Sequence, residues 1–113
     1  MQILAGDFKV TDIKNLAFQK VPRASLESQT SRIALDYHAD LCHLKLHDNV
    51  RVELFLSSKP SINKNCYLMR GIIYKIEENR FEASFGGLLM FYEGQLDENI
   101  ALESEIYISI FKI

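Results

Sequence analysis

Along most of this chain, apolar and polar residues alternate one by one. A period of two places successive side chains on opposite faces of an extended segment, so it predicts β-strands with one buried face. β-branched and aromatic residues are concentrated in the same runs, as strands prefer. One run of this kind begins at Phe8 and Val10. The other runs, with their predicted inward residues, are 33–37 (Ile33, Leu35, Tyr37), 50–56 (Val50, Val52, Leu54, Leu56), 72–77 (Ile72, Tyr74, Ile76), 81–85 (Phe81, Ala83, Phe85) and 106–111 (Ile106, Ile108, Ile110).

Turn-forming residues separate these runs. Glu78-Asn79 predicts a hairpin turn in which Asn79 can take a positive φ. Gly86-Gly87 divides residues 80–85 from residues 88–93 and permits a bulge, a sharp bend or a close backbone approach. Residues 41–47 fit either a short helical turn or an irregular strand. Six to eight short strands with little helix indicate an all-β sandwich or small barrel, and a closed barrel leaves no strand edge exposed.

Several residues on the predicted outward faces are apolar. They lie opposite the inward residues of their strands, and residues 88–92 are apolar on both faces. Such strands bury their second face either in another core layer or against a partner, and both interpretations stay open. The single outward residues are Phe55, Ile73, Tyr107 and Phe111.

Composition limits the class of protein. The length of 113 residues predicts one domain spanning residues 1–113. A net charge of −2 disfavours a general nucleic-acid binder that works by bulk electrostatics. We expect no membrane span, since no apolar run reaches about 18 residues, and no secretory signal. Only two cysteines are present, which fits a reducing compartment with free thiols. Residues 93–105 hold five acids and no base, which is typical of a solvated loop.

One short segment carries residues that could bind metal. His38 and Cys42, and likewise His43 and His47, are four residues apart, so a helix would place each pair on one face. Nothing completes such a site, because the next cysteine, Cys66, follows 24 residues after Cys42. Cys42 with a histidine could form a nucleophile, but no motif of a known catalytic class is present. The sequence therefore assigns no catalytic residue, metal or cofactor.

A second stretch has the residue types of a single-strand nucleic-acid site. Such sites combine a positive groove with exposed aromatic rings that stack on bases. However, the basic density is modest, and Tyr74 and Phe81 belong to the predicted inward set, so a solubilising face is the favoured interpretation. The basic residues are Lys59, Lys64, Arg70, Lys75 and Arg80, and the aromatic residues are Tyr67, Tyr74 and Phe81.

Four segments resemble the small OB-type subunit, usually counted as the eighth, that is shared by the eukaryotic nuclear RNA polymerases I, II and III. They are DFKVTDI (7–13), VPRASLES (21–28), MRGIIYKIEE (69–78) and SFGGLLM (84–90). The last is the most specific, because a double glycine followed by Leu-Leu-Met is rare by chance. The closing segment 104–112 also resembles the family's terminal strand. The chain departs from the family in its short, basic central loop, about 57–66, in Arg70, where the family has an aromatic residue, and in Phe85, where the family has a tyrosine.

The resemblance implies an antiparallel OB-type barrel made of two joined half-OB motifs. It also implies a non-catalytic subunit of the nucleus that supports polymerase assembly through contacts with other subunits, chiefly the largest. Direct contact with nucleic acid would be weak or absent. The alternative is a free-standing single-stranded nucleic-acid-binding protein of the same fold. Candidates for the partner interface or a barrel corner are Gly86, Gly87, Leu88, Leu89, Met90, Ile73, Tyr107 and Phe111.

Overall fold

Eight β-strands form the computed structural model, which describes residues 1–15, 20–57 and 67–113. No helix occurs in these ranges, and hence none that is long and apolar enough to cross a membrane. Every alternating run of the sequence lies on a strand, as predicted, except that Tyr37 follows the end of its strand. The strands are β1 (Gln2–Lys14), β2 (Arg23–Glu27), β3 (Arg32–Asp36), β4 (Asn49–Leu56), β5 (Tyr67–Glu77), β6 (Arg80–Phe85), β7 (Leu88–Glu93) and β8 (Glu105–Lys112).

The strands close into one antiparallel barrel in the order β1-β2-β3-β7-β6-β5-β8-β4. β4 pairs with β1 and completes the ring. The order contains two equal halves, β4-β1-β2-β3 and β8-β5-β6-β7, each with the 4-1-2-3 arrangement of a Greek key. The halves join where β3 pairs with β7 and β4 pairs with β8. The predicted all-β fold is confirmed, and the barrel is consistent with the OB type.

The barrel interior is filled by the inward residues of all eight strands. The predicted inward residues of β3, β4, β6 and β8 are all buried, because alternation along a regular strand fixes which side chains face the axis. The largest fully buried side chains include Leu26, Ile33, Leu35, Leu54, Ile73, Phe81, Met90, Ile106, Ile108 and Ile110.

The predicted register of β5 is wrong at Ile72 and Tyr74, whereas Ile76 packs against the core as predicted. Ile73 is fully buried, whereas Ile72 and Tyr74 are 42% and 44% exposed. The ladder with β6 shifts between Ile73 and Lys75, so Tyr74 is an extra residue that bulges outward. Gly71 precedes Ile73 on the inward face but adds no apolar side chain to the pattern. The alternation in the sequence therefore places Ile72 and Tyr74 on the inward face, although both point outward.

Gly86-Gly87 forms a two-residue turn between β6 and β7, because Phe85 pairs directly with Leu88. Both glycines have positive φ, 66° and 102°, as a type I′ hairpin turn requires. The hypothesis of a bent strand at a barrel corner is thus replaced by a tight hairpin. The hairpin predicted at Glu78-Asn79 is confirmed by the pairing of Glu77 with Arg80, although Asn79 keeps a negative φ.

We expect a β-branched residue at Gly86 to destabilise the barrel. A Cβ at this position meets no atom within 4 Å, so the effect arises from the backbone alone. Gly86→Val should cost about 1–2 kcal/mol, the penalty of the left-handed conformation for an L-residue. Gly86→Asn should cost much less, because asparagine adopts this conformation readily. Urea titration of both variants measures the difference, and equal stabilities would contradict the explanation.

Residues 41–47 are neither helical nor paired as a strand. The amides of Leu41 and Cys42 both donate to the His38 carbonyl, which makes a single turn. Cys42 and Leu44 are buried and pack on the core, whereas Leu41, His43 and Lys45 are exposed. The segment is therefore an irregular extended loop with one face on the barrel.

Candidate protein-interaction surface

Ile72 and Tyr74 are the exposed large apolar residues of the strands' outer faces. The bulge at Tyr74 places both on the outside, while Ile73 between them anchors β5 in the core. The Tyr74 hydroxyl donates to Glu82 Oε1 at 2.8 Å on the neighbouring strand. Partial burial and this hydrogen bond raise the pKa of Tyr74 above its ordinary value. The phenol thus stays protonated, and its ring has a fixed orientation.

Leu102, in the loop before β8, is a third exposed apolar residue close to β5. It is 59% exposed. The next residue, Glu103, donates its amide to the Ile73 carbonyl at 2.8 Å, and the Ile73 amide donates to the Ser104 carbonyl at 3.0 Å. Glu103 and Ser104 together oppose Ile73 and so form a β-bulge. Glu103 occupies its left-handed position, with φ 65°, which glycine usually fills. We call Ile72, Tyr74 and Leu102 the apolar ridge.

The outward residues of β7 are already engaged within the chain. Leu89 and Phe91 are half-buried, and the Arg23 guanidinium lies 5.0 Å from the centre of the Phe91 ring. Arg23 is held by Asp36, whose carboxylate raises the pKa of Arg23 through a hydrogen bond of 2.6 Å. The same carboxylate accepts the Leu89 amide at 3.1 Å. These contacts hold the outer face of β7 within the chain.

The structure does not bring all the predicted interface residues together. Ile73 and Met90 are fully buried, so neither can touch a partner, and the expectation that Ile73 points outward is wrong. Tyr107 points outward but is only 9% exposed, and its hydroxyl donates to Glu105. Phe111 is half-buried on β8, and Leu88 packs partly against the core. Sequence reasoning missed Ile72 and Leu102, because only the bulges expose them.

Charged residues on the outside pair with one another across the strands. Acids and bases alternate strictly along one row of paired residues that crosses β1, β2, β3, β7, β6 and β5. Opposite charges in register stabilise a sheet by about 0.2–1 kcal/mol a pair. Within this row, Arg32 Nε lies 3.6 Å from Glu27 Oε1, and Arg80 also contacts Glu77. The row, in register order, is Lys9, Glu27, Arg32, Glu93, Arg80 and Glu77.

The basic stretch considered for nucleic acid is neutralised where the structure describes it. Arg70 Nε lies 2.9 Å from Glu105 Oε1, and Lys75 Nζ lies 3.1 Å from Glu77 Oε1. The pKa of Lys75 is raised by Glu77, and that of Glu77 is lowered by Lys75 and Arg80. Lys59 and Lys64 lie outside the described residues. Phe81 points inward and stacks on Tyr92 at 5.1 Å. These pairs leave little free positive charge beside Tyr74.

The segment considered for metal binding shows a buried thiol instead. Cys42 is buried, and desolvation raises its pKa from 9.0 to about 11. His38, His43 and His47 are exposed. Across the ranges that the structure describes, no three His, Cys, Asp or Glu residues are grouped to hold a metal ion. Cys66 lies outside those ranges.

We expect the Cys42 thiol to react slowly. The thiolate is the nucleophile, so in a Cys66→Ser background alkylation by iodoacetamide at pH 7.5 should run on the order of 100-fold slower than for free cysteine. The unfolded chain loses this proton near pH 9 and the folded chain near pH 11. This thiol therefore lowers the free energy of unfolding only as pH rises between those values. Equal alkylation rates for the folded and the urea-unfolded chain would contradict this expectation.

A scan against protein-family models and a search of curated proteins give no match to this chain. The four segments that carry the polymerase-subunit resemblance have defined places in the barrel. Residues 7–13 lie on β1, residues 21–28 contain β2, and residues 69–78 cover most of β5. Residues 84–90 form the end of β6, the Gly86-Gly87 turn and the start of β7. The first three segments therefore lie on the first two strands of one Greek-key half and the first strand of the other, and the fourth joins the second and third strands of that other half.

Proposed function

We propose that this chain is a non-catalytic subunit shared by the nuclear RNA polymerases I, II and III. It supports assembly and stability of the transcribing enzyme in the nucleus through contacts with other subunits, chiefly the largest. It has no reaction of its own and needs no cofactor. The four resembling segments support this proposal, and so does the closed all-β barrel, which agrees with the fold that the resemblance implies.

The apolar ridge is the observation that carries the proposal. On a solvated strand, the residues flanking a buried position are normally polar, since only one face is covered. Here Ile72 and Tyr74 flank the buried Ile73 and remain exposed, and the exposed Leu102 directly precedes Glu103, whose amide donates to the Ile73 carbonyl. Exposed apolar side chains that share one surface mark a place that another protein covers.

The surroundings of the ridge favour protein over nucleic acid as the partner. A single-strand site needs free cations near a ring on which bases can stack. Tyr74 is instead hydrogen-bonded to Glu82, and the nearby Lys75 and Arg70 are ion-paired with carboxylates. Phosphate groups would meet acidic residues there, which makes the free-standing nucleic-acid binder the weaker alternative.

Affinity purification of the tagged chain from its own cells tests the proposal. We expect the largest subunits of all three nuclear polymerases among the recovered proteins, and nuclear staining of the tagged chain. An untagged strain provides the control. A chain found free of any polymerase would overturn the proposal.

Oligonucleotide titration at several salt concentrations distinguishes the alternative. A true single-strand binder loses affinity steeply as salt rises, because it releases counterions from the phosphates. We expect little binding at any salt concentration. Tight, salt-sensitive binding by the purified chain would support the free-standing nucleic-acid binder instead.

A further inference from the structure

The loop that carries Leu102 of the apolar ridge is acidic. The loop 94–104 starts at the Glu78-Asn79 hairpin, where the Gly94 amide donates to the Asn79 carbonyl at 2.9 Å, and ends beside Ile73. Residues 93–105 contain five acids and no base, and Glu77 and Glu78 lie next to the start of the loop. Three of these acids are exposed and have no side-chain partner among the described residues. We call Glu78, Glu98 and Glu103 the acidic border.

The acidic border differs from the other acids around the ridge. Glu77 is paired with Lys75 and Arg80, Glu82 accepts the Tyr74 hydroxyl, and Glu105 is paired with Arg70. Those charges are compensated within the chain. The charges of the border are not, so the border presents uncompensated negative charge next to apolar side chains.

Glu103 has the best-defined position in the border. The hydrogen bond that its amide donates to the Ile73 carbonyl and its left-handed φ of 65° hold it between the exposed Leu102 and the start of β8. Leu102 and Glu103 are thus adjacent in sequence, both exposed, and fixed to the strand that carries Ile72 and Tyr74. An apolar and an anionic contact point therefore sit side by side.

We infer that the ridge and the acidic border together receive a protein segment that carries both apolar side chains and lysine or arginine. Charge complementarity selects the occupant, because a basic segment would compensate the unpaired carboxylates while its apolar residues cover Ile72, Tyr74 and Leu102. This inference rests on the proposed function and specifies the chemistry of the polymerase segment that docks here.

Purification with tagged single variants tests the inference. Glu103→Lys and Leu102→Ser should each reduce recovery of the large polymerase subunits at least about fivefold at 150 mM salt, because each removes one kind of contact. Asp12→Lys and Leu41→Ser are matched controls, since both residues are exposed and lie outside the ridge and the border. Their recovery should stay within about twofold of the wild type. Thermal unfolding of each variant checks that the barrel is intact.

Carbodiimide cross-linking of the purified assembly gives a second measurement. The reagent joins a carboxylate to a nearby lysine, so we expect Glu98 or Glu103 joined to lysines of a large subunit. Undiminished recovery of Glu103→Lys and Leu102→Ser, or cross-links only from acids elsewhere, would overturn the inference and leave the proposed function standing. If the wild-type chain recovers no polymerase subunit, the proposed function fails and this inference fails with it.

Discussion

Gly71→Ala should be among the most destabilising single-methyl additions to this chain. A Cβ at Gly71 would lie 2.5 Å from the Ser84 carbonyl oxygen and 2.7 Å from the ring of Phe85. The first neighbour is strand backbone, and the ring is buried, so neither can move without disturbing the β5–β6 ladder. We expect a loss of about 3 kcal/mol in the free energy of unfolding, at the upper end for overpacking. Urea titration measures it.

Gly6→Ala is the matched control for this prediction. Gly6 also lies within a strand, β1, but its added Cβ would meet only the Phe8 ring, at 3.4 Å. This substitution should change stability by less than about 1 kcal/mol, since the contact is close to ordinary packing. Equal effects of the two substitutions would show that the close approach of Phe85 to Gly71 does not determine the stability of β5.

Asp36→Ala should produce the second large loss. Asp36 is buried, and its carboxylate accepts two hydrogen bonds from Arg23, at 2.6 and 3.2 Å, and one from the Leu89 amide at 3.1 Å. The β3–β7 ladder ends at Leu35 and Met90, so this side chain extends a seam between the two Greek-key halves. Removing it leaves both donors without their partner, which should cost about 2–3 kcal/mol after allowing for the partial exposure of Arg23.

Asp7→Ala provides the comparison at an exposed pair. Asp7 Oδ1 lies 3.1 Å from Arg51 Nη1, and the Asp7 side chain is 62% exposed. Water replaces the partner there, so the loss should stay below about 1 kcal/mol. Thermal or urea unfolding measures the loss in the free energy of unfolding for both variants. The difference between these losses isolates the contribution of burial. A comparable loss for both would mean that Asp36 does not stabilise the seam.

Much of the strand pattern was predictable from residues that are close in sequence. Val50, Val52, Leu54 and Leu56 face the interior because a regular strand alternates its side chains, and this property is visible in β4 alone. An interruption of the strand at Gly86-Gly87 was also visible locally, although it is a hairpin turn rather than the expected bend at a barrel corner. Such features need no knowledge of the partner strand.

The candidate surface was not predictable in the same way. Ile72 and Tyr74 are exposed because β5 carries an extra residue against β6, and a bulge depends on the pairing of two strands. Leu102 lies near them because the backbones of Glu103 and Ser104 hydrogen-bond to Ile73. Ile73 precedes these two residues by about thirty positions in the sequence. Nothing in either segment by itself specifies this contact.

The residue pattern was enough to predict an all-β fold, the course of most strands and the positions of local turns. The order of the strands, the closure of the barrel and the bulge of β5 came only from the folded chain. Alternation and turn preferences are properties of neighbouring residues, whereas register is set by distant backbone groups that must hydrogen-bond to one another. The exposed ridge beside uncompensated carboxylates is a consequence of that register.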